Sequence, residues 1–519
     1  MALRVINNFI EGSNNNKNKL IGNSYTQNLY LEKFDTEDVA GTSPYFLKSI
    51  SGFSELFFEE EEFRDCRGMY VSKYNGMLIS VWGNYVYVHY KSGDGYSYRK
   101  LGAFISNTND LVSIAESGGE NPRILIADGF VLHSFLIKEI DDITSSYVQV
   151  QLPKNADGEQ IKPSYVSYQF GYLTINDRDT DRFYRSYLYP FEYEKNNEIE
   201  MRVFTYDPIL EEEYENGMYI IADYSSDKID AMCSNNEKLF VFGKNSIQEY
   251  VYTGDSRMPF STTQSSKIGI LNKDSLSIIN NQMFWLGAGD EGQYGIFTAS
   301  SVNDITRIST VNIEKEISSF DDVNCVAWTW TEAQHMFYAI TFYKNNKTYV
   351  YDLSTQKWHN RVSTTENTNE NRFWRYRFAR LFDNKICMST EHGLTFIDNN
   401  KFTEHDGRRI VRLRRGGVTH DSFNYFMIDN VEFQISNGHV RTDNPTVRPK
   451  YMFRYSTDCV TFSNERISYG GLQGQYAYKT QFQRLGMGVI FIFEFSTSED
   501  IDLVITSCKV NAVAMGRGF

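Results

Sequence analysis

The stretch RRIVRLRRGG, residues 408–417, places five arginines in eight positions: Arg408, Arg409, Arg412, Arg414 and Arg415. A guanidinium presents a planar fork of donors that fits a phosphate or a carboxylate equally well. Such a cluster therefore suits either nucleic-acid backbone or acidic groups of the same or a neighbouring subunit. On an extended strand, Arg408, Arg412 and Arg414 share one face and Arg409 and Arg415 the other, so both faces are expected to be cationic. The chain as a whole has a formal net charge of −14, with 66 acidic residues against 52 basic ones. That balance excludes a phosphate-binding surface spread over the whole molecule and makes carboxylate partners abundant. Pairing with carboxylates of the same or a neighbouring subunit is the expected role, and DNA contact in a channel is the alternative.

Other stretches offer less. GAGDEG, 287–292, has the glycine spacing of a dinucleotide loop, but a strand follows it where a helix is needed, and Asp290 and Glu291 would repel a phosphate. NDRDTDR, 176–182, alternates Asp177, Asp179 and Asp181 like the opening of a calcium loop. Its sixth and twelfth positions are Arg182 and Leu188 instead of Gly and Glu, so an interstrand turn is expected. The eight histidines form no pair at metal-ligand spacing, and no nucleophile elbow occurs. YSTDCVTF, 455–462, faintly resembles a sialidase Asp-box, but Asp458 reads as a hairpin-turn residue. No catalytic residue, metal or cofactor is expected.

The elements that carry these residues are strands. With 36 Tyr, 37 Phe and only 9 Pro, the composition favours sheets and a large interior. Seven stretches share one form, an apolar strand, a turn built on Asn, Gly or Asp, and a second apolar strand: 75–90, 121–135, 162–177, 229–252, 274–287, 323–342 and 377–398. Runs such as LFVFG are apolar on both faces, as strands are when sheets cover both sides. The units recur at roughly the 40–50 residues of a four-stranded propeller blade, with insertions. The expected fold is all-β, a β-propeller of six or seven blades over 66–404, interrupted by an acidic insertion near 193–219. Stacked sandwiches are the competing arrangement. From 405 to 519, longer alternating strands predict an antiparallel β-sandwich. Residues 1–65 read as an N-terminal arm with docking strands, and Glu59–Glu62 as a solvated acidic loop.

Six dispersed cysteines without a CxxC pair indicate reduced thiols. The opening MALRVINNFIEGSNNN has no signal-peptide core, and nowhere do about 18 apolar residues run together. A protein made in a cytoplasm without a membrane span is expected.

Several stretches, in order along the chain, carry a family resemblance: SYTQNLYLE and YFLKSISGF, then DRFYRSYL, IDAMCSNNEKLFVFGKNSIQEYVYTG and YVYDLSTQKWHNR. DGRRIVRLRRGGVTHDSFNYFMIDNVEFQISNG and YKTQFQRLGMGVIFIFEF complete the series. Together they resemble the packaged-DNA stabilization family, the tail hub or nozzle proteins of short-tailed bacteriophages. Ser51 stands where the family tends to have proline, and the 193–219 stretch departs from it. The resemblance implies a structural virion protein with no enzymatic activity, a ring subunit, expected as a hexamer, below the portal and its adaptor ring. Such a ring extends the DNA channel, helps to retain the genome and gives it an exit path. The implied partners are other copies of the chain, the adaptor-ring protein, tail spikes, fibres or needle, and double-stranded DNA held weakly and without sequence specificity. A polysaccharide-active propeller enzyme or a host-surface binding module is the alternative.

Overall fold

Each of the seven sequence units folds into strands paired antiparallel with one another, and each contains a positive-φ or glycine turn. The computed structural model describes residues 4–11, 24–34, 43–62, 64–103, 105–106, 110–138, 140, 146–155, 158–191, 202–225, 227–289, 292, 294–365, 370–421, 424–436 and 447–515. Asn236–Glu237, Asn280–Asn281 and Asp383–Asn384 take positive φ at both turn positions, the geometry that matches the twist of a two-residue hairpin.

The sheets span 66–103, 113–149, 166–221, 231–266, 277–307 and 326–360, and the seventh begins at 377–398. Their first strands line one axis, and Arg377–Phe382 of the seventh sheet closes the ring against Cys66–Val71 of the first. The fold is a seven-bladed propeller. Its seventh blade is completed by Gly52–Phe53 and Phe58–Glu59, which pair with Gly393–Asp398. The ring is thus latched by two short strands from near the start of the chain.

The cores lie between blades, which explains the doubly apolar strands. In Lys238–Phe242, Leu239 and Val241 pack toward blade three with Tyr172 and Phe183. Phe240 and Phe242 pack the other way, with Met283 and Trp285 of blade five. Burying both faces of every strand removes far more apolar surface from water than a half-exposed hairpin could.

The sandwich has one sheet of Leu29–Lys33, Tyr45–Ser49, Val504–Ala514, Phe426–Ile435 and Thr480–Gly488. The other holds Tyr25–Gln27, Arg412–Arg415, Ile490–Thr497, Lys450–Ser456 and Arg466–Tyr469. Phe433, Phe453, Phe482, Phe493 and Phe495 fill the space between, joined by Phe9, Leu29 and Leu47. The described part of 1–65 is therefore shared between the sandwich and blade seven. Tyr25–Gln27 also pairs in parallel with the outer strand of blade six, Lys357–Asn360, so one sheet runs through both regions.

Two expectations are corrected. Glu59–Glu62 is only in part the expected solvated loop: Glu59, Glu61 and Glu62 are exposed, but Glu59 pairs with Gly393 and Glu60 is fully enclosed. The Glu60 carboxylate accepts from the backbone N–H of Glu62 and Arg64, both at 3.0 Å, and from the Tyr87 hydroxyl at 3.2 Å, which satisfies the buried charge. The 193–219 stretch, of which 193–201 lies outside the described residues, is more than an insertion. It carries a small hairpin, Tyr206–Asp207 with Glu212–Glu213, and its end opens Tyr219–Ile221, the fourth strand of blade three.

Candidate functional site: the arginine strand and the axial funnel

Of the five arginines, only Arg412, Arg414 and Arg415 lie on a strand. It alternates as expected, with Arg412 and Arg414 on one face and Arg415 on the other, but the shared face points inward. Arg412 and Arg414 are fully enclosed. Arg412 donates to the carbonyls of Glu499 at 2.9 Å and Phe402 at 3.0 Å. Arg414 donates to the carbonyls of Phe9 at 2.5 Å and Glu11 at 2.8 Å, and to Thr26 Oγ1 at 2.6 Å. Burial lowers the pKa of both groups, because an enclosed cation is deprived of water. The expectation that Arg412 and Arg414 meet carboxylates or DNA is thereby corrected: these two side chains present nothing to DNA or to a neighbouring subunit. Their partners are main-chain carbonyls and a hydroxyl, and the segment around residues 9–11 was not legible as a partner because it lies some 400 positions away.

The other three meet carboxylates of their own chain. Arg408 holds Asp406 through Nε at 2.8 Å and Nη2 at 2.6 Å. Arg415 holds Glu494 through Nε at 2.8 Å and Nη2 at 2.6 Å. The opposite oxygen of Glu494 is held by Arg454, so one buried carboxylate is clamped between two guanidinium groups. Arg409 reaches Glu499 at 3.6 Å with a side chain 63% exposed. It is the member of the cluster most open to solvent.

The remaining motifs are structural. GAGDEG joins Gln282–Ala288 to Tyr294–Ala299 as a blade hairpin; Asp290 and Glu291 lie outside the described residues. In NDRDTDR, Asp177 turns inward and accepts from the Lys162 N–H at 3.0 Å. Asp458 accepts from the N–H groups of Val460 and Thr461 in a tight turn. Among the described residues no group of three His, Cys, Asp or Glu is placed to hold a metal.

A funnel of about 690 Å³ opens at one end of the propeller axis, which sequence reasoning missed. Asp65, Asp110, Asp230, Asp274 and Asn324 line it, each lying shortly before the first strand of a blade. That recurrence of Asp or Asn one to three residues before the first strand in five units is the signal that could have found it. Asp110 faces Arg178 at 3.6 Å and Lys273 at 3.9 Å. Burial raises the pKa of Asp274 and Asp230, and it pushes the Cys66 thiol in the wall up to about 11. The thiol stays protonated at neutral pH and is no nucleophile. Next to the funnel on the axis lies a space of about 360 Å³ lined by the first strands of six blades and, in blade three, by Ser164 and Tyr165 just before its first strand.

Comparison with known proteins places these two regions. A family model described as the β-propeller of bacteriophage P22 Gp10 matches residues 209–395, and a second, its β-sandwich, matches 414–513. A search of curated proteins gives no match. Among solved structures, the extracellular domain of a one-component system from B. thetaiotaomicron is 11% identical over 75% of this chain, with a TM-score of 0.38. This chain spans 43% of that structure's length. The WD40 domain of Toxoplasma gondii coronin is 10% identical over 72% of this chain and 85% of its own, with a TM-score of 0.34. BamB from Moraxella catarrhalis is 8% identical over 65% of this chain and 94% of its own, with a TM-score of 0.31.

Proposed function

We infer that this chain, which belongs to the bacteriophage P22 Gp10 family of packaged-DNA stabilisation proteins, acts as a ring subunit of the short tail. Membership makes it a structural protein of the phage virion. The finer reading is that several copies surround an axial DNA path below the portal and its adaptor ring, help to retain the genome and guide its exit. The observation that carries it is the match of both family domains, propeller and then sandwich, in order along one chain.

The geometry supports a passive role. The densest cation cluster of the sequence is engaged within its own chain, leaving Arg409 as its most accessible member. Each phosphate neutralised adds salt-dependent affinity, so a wall that grips DNA would slow ejection. A surface with an excess of carboxylates lets the duplex slide, which suits −14 per subunit. In this reading the DNA path runs between subunits, along the axis of the ring they form. Arg409, Arg408 and Arg415 remain candidates for the rim of a subunit contact.

Imaging purified particles with and without the protein tests this. A ring of density at the tail vertex is expected, together with premature loss of DNA from particles that lack it. Absence of the protein from that vertex, or turnover of host-surface glycans by the purified chain, would overturn the reading.

A further inference from the structure

Blade three lies half a turn around the seven-bladed ring from the junction of blades six and seven, where the sandwich is attached through Tyr25–Gln27 and 52–59. The two ends of the molecule carry different surfaces. On blades three and four, Phe170 and Tyr252 stack in the open with ring centroids 4.8 Å apart and planes 14° from parallel. Tyr189, also exposed, lies over the same turn, where a Cβ at Gly171 would meet its ring at 2.9 Å. Phe170 and Tyr189 both sit at φ 51°, a conformation costly for a bulky side chain and retained where the surroundings require it. Beside this ledge, Glu211, Glu212, Glu213, Glu215 and Asp255 outnumber Arg202 and Arg257, which hold Glu213 and Glu212.

At the other end, the last strands of the two sandwich sheets, Arg466–Tyr469 and Thr480–Gly488, run side by side. Arg466 ties them by donating to the Gln483 carbonyl at 2.6 Å. Ile467 and Tyr469 project from this rim, 57% and 48% exposed. Around them Arg448, Lys450, Arg466, Lys479 and Arg484 outnumber Glu432 and Glu465. The rim is cationic with apolar knobs, and the ledge is anionic with aromatic plates.

We propose that the acidic aromatic ledge of one subunit seats the basic rim of a second copy of this chain; the proposal rests on the ring reading above and names the surfaces that build the ring. Opposite charge steers the encounter, and the exposed aromatics supply the desolvated centre that such contacts need. Because the two patches differ and lie at opposite ends, the contact is head-to-tail, the kind that generates closed rings.

The test uses the full chain and two paired variants at exposed positions. Phe170→Asn with Tyr252→Ser removes the ledge, and Asn tolerates the positive φ at 170. Ile467→Ser with Tyr469→Ser removes the rim. Sedimentation velocity of the wild type, each variant and their equimolar mixture is measured, alongside copy number in particles. The expected result is self-association weakened roughly tenfold or more in each variant. The mixture, holding one intact ledge and one intact rim, stops at two subunits. Thermal unfolding checks that each variant is folded. If the wild type assembles and both variants assemble equally well, the surfaces are wrong and the ring stands. Should the wild type be monomeric in solution, copy number in particles decides: unchanged occupancy by both variants overturns the surfaces, and loss supports them. A single copy of the wild type per particle overturns the ring, and this contact with it.

Discussion

Arg361 in blade six and Arg414 in the sandwich are both wholly enclosed guanidinium groups, yet their surroundings share almost nothing. Arg361 donates to the Glu332 carboxylate at 2.9 Å and lies 4.8, 5.0 and 4.8 Å from the ring centroids of Trp330, Phe337 and Trp374. Glu332 also accepts from the Ser51 N–H at 3.0 Å and from Trp330 Nε1 at 3.1 Å. Burial alone would raise its pKa, but Arg361 and those donors hold it below the usual carboxylate range. Arg414 faces two carbonyls and a hydroxyl. The propeller encloses a neutral pair among aromatic rings. The sandwich encloses a cation held by dipoles. The same residue type should therefore respond differently to losing its partner in the two regions.

The largest effect is expected at Glu332. Glu332→Gln leaves Arg361 charged and unpaired in an apolar cage, at a cost of about 3–5 kcal/mol. Arg414→Met removes three hydrogen bonds but also the desolvated charge that folding had to bury, so about 1–2 kcal/mol is expected. Urea unfolding measures both. Trp82, Trp285, Trp328, Trp330, Trp358 and Trp374 are all in the propeller, so tryptophan fluorescence follows that region alone. Equal costs at the two sites would sink the contrast between pair and dipole.

Asn28 joins the two regions and offers a way to separate them. It sits at φ 53°, fully buried. Its Nδ2 donates to the carbonyls of Val362 at 2.9 Å and Val411 at 2.8 Å, and its Oδ1 accepts from the Val362 N–H at 2.9 Å. Its own N–H reaches the Asn360 carbonyl at 2.9 Å, and its carbonyl accepts from Ile50. Asn28→Ala loses three side-chain hydrogen bonds, about 1 kcal/mol each. Its sharper readout is cooperativity: the fluorescence transition should part from the one seen by far-ultraviolet circular dichroism. Coincident transitions would mean that the continuous sheet, and not this side chain, couples propeller to sandwich.

What the sequence could show follows the range of the physics involved. Hairpin turns and doubly apolar strands are local, so all seven blade units stood out. Even so, blade six turns at Ala333–Gln334 with positive φ at both residues, where the residue types carry no turn signal and packing decides the conformation. The latch of blade seven comes from two short strands some 340 residues earlier, and periodicity says nothing of that pairing. The arginine strand alternated as its spacing required, but which face turned inward depended on residues 9–11 arriving over it. Glu60 was misread for the same reason: its donors and its enclosure belong to the fold, while its neighbours Glu59, Glu61 and Glu62 gave the look of a solvated run.

The smallest expected effect probes the propeller by pH. His89 and His359 lie buried in the propeller. Burial pushes His89 down to about 3; burial first, then the nearby charges of Arg361 and His335, push His359 well below its usual range. A histidine that is neutral when folded and basic when unfolded takes up a proton only on unfolding. Its stabilising contribution is complete above the unfolded value near 6.5 and is lost as pH falls below it, by about 1.4 kcal/mol per pH unit for each group. His335 is the opposite case: burial is outweighed by its hydrogen bond to Asp352, its pKa is raised, and its contribution, complete below 6.5, fades only as pH rises through the folded value. Between pH 6 and 5 it adds no slope of its own. The fluorescence midpoint in urea should thus fall between pH 6 and 5, and His359→Gln should flatten that fall by about 1.4 kcal/mol per pH unit. An unaltered slope in His359→Gln would mean that this ring is protonated in the folded propeller, and that the propeller, like the sandwich at Arg414, tolerates an enclosed cation held by dipoles.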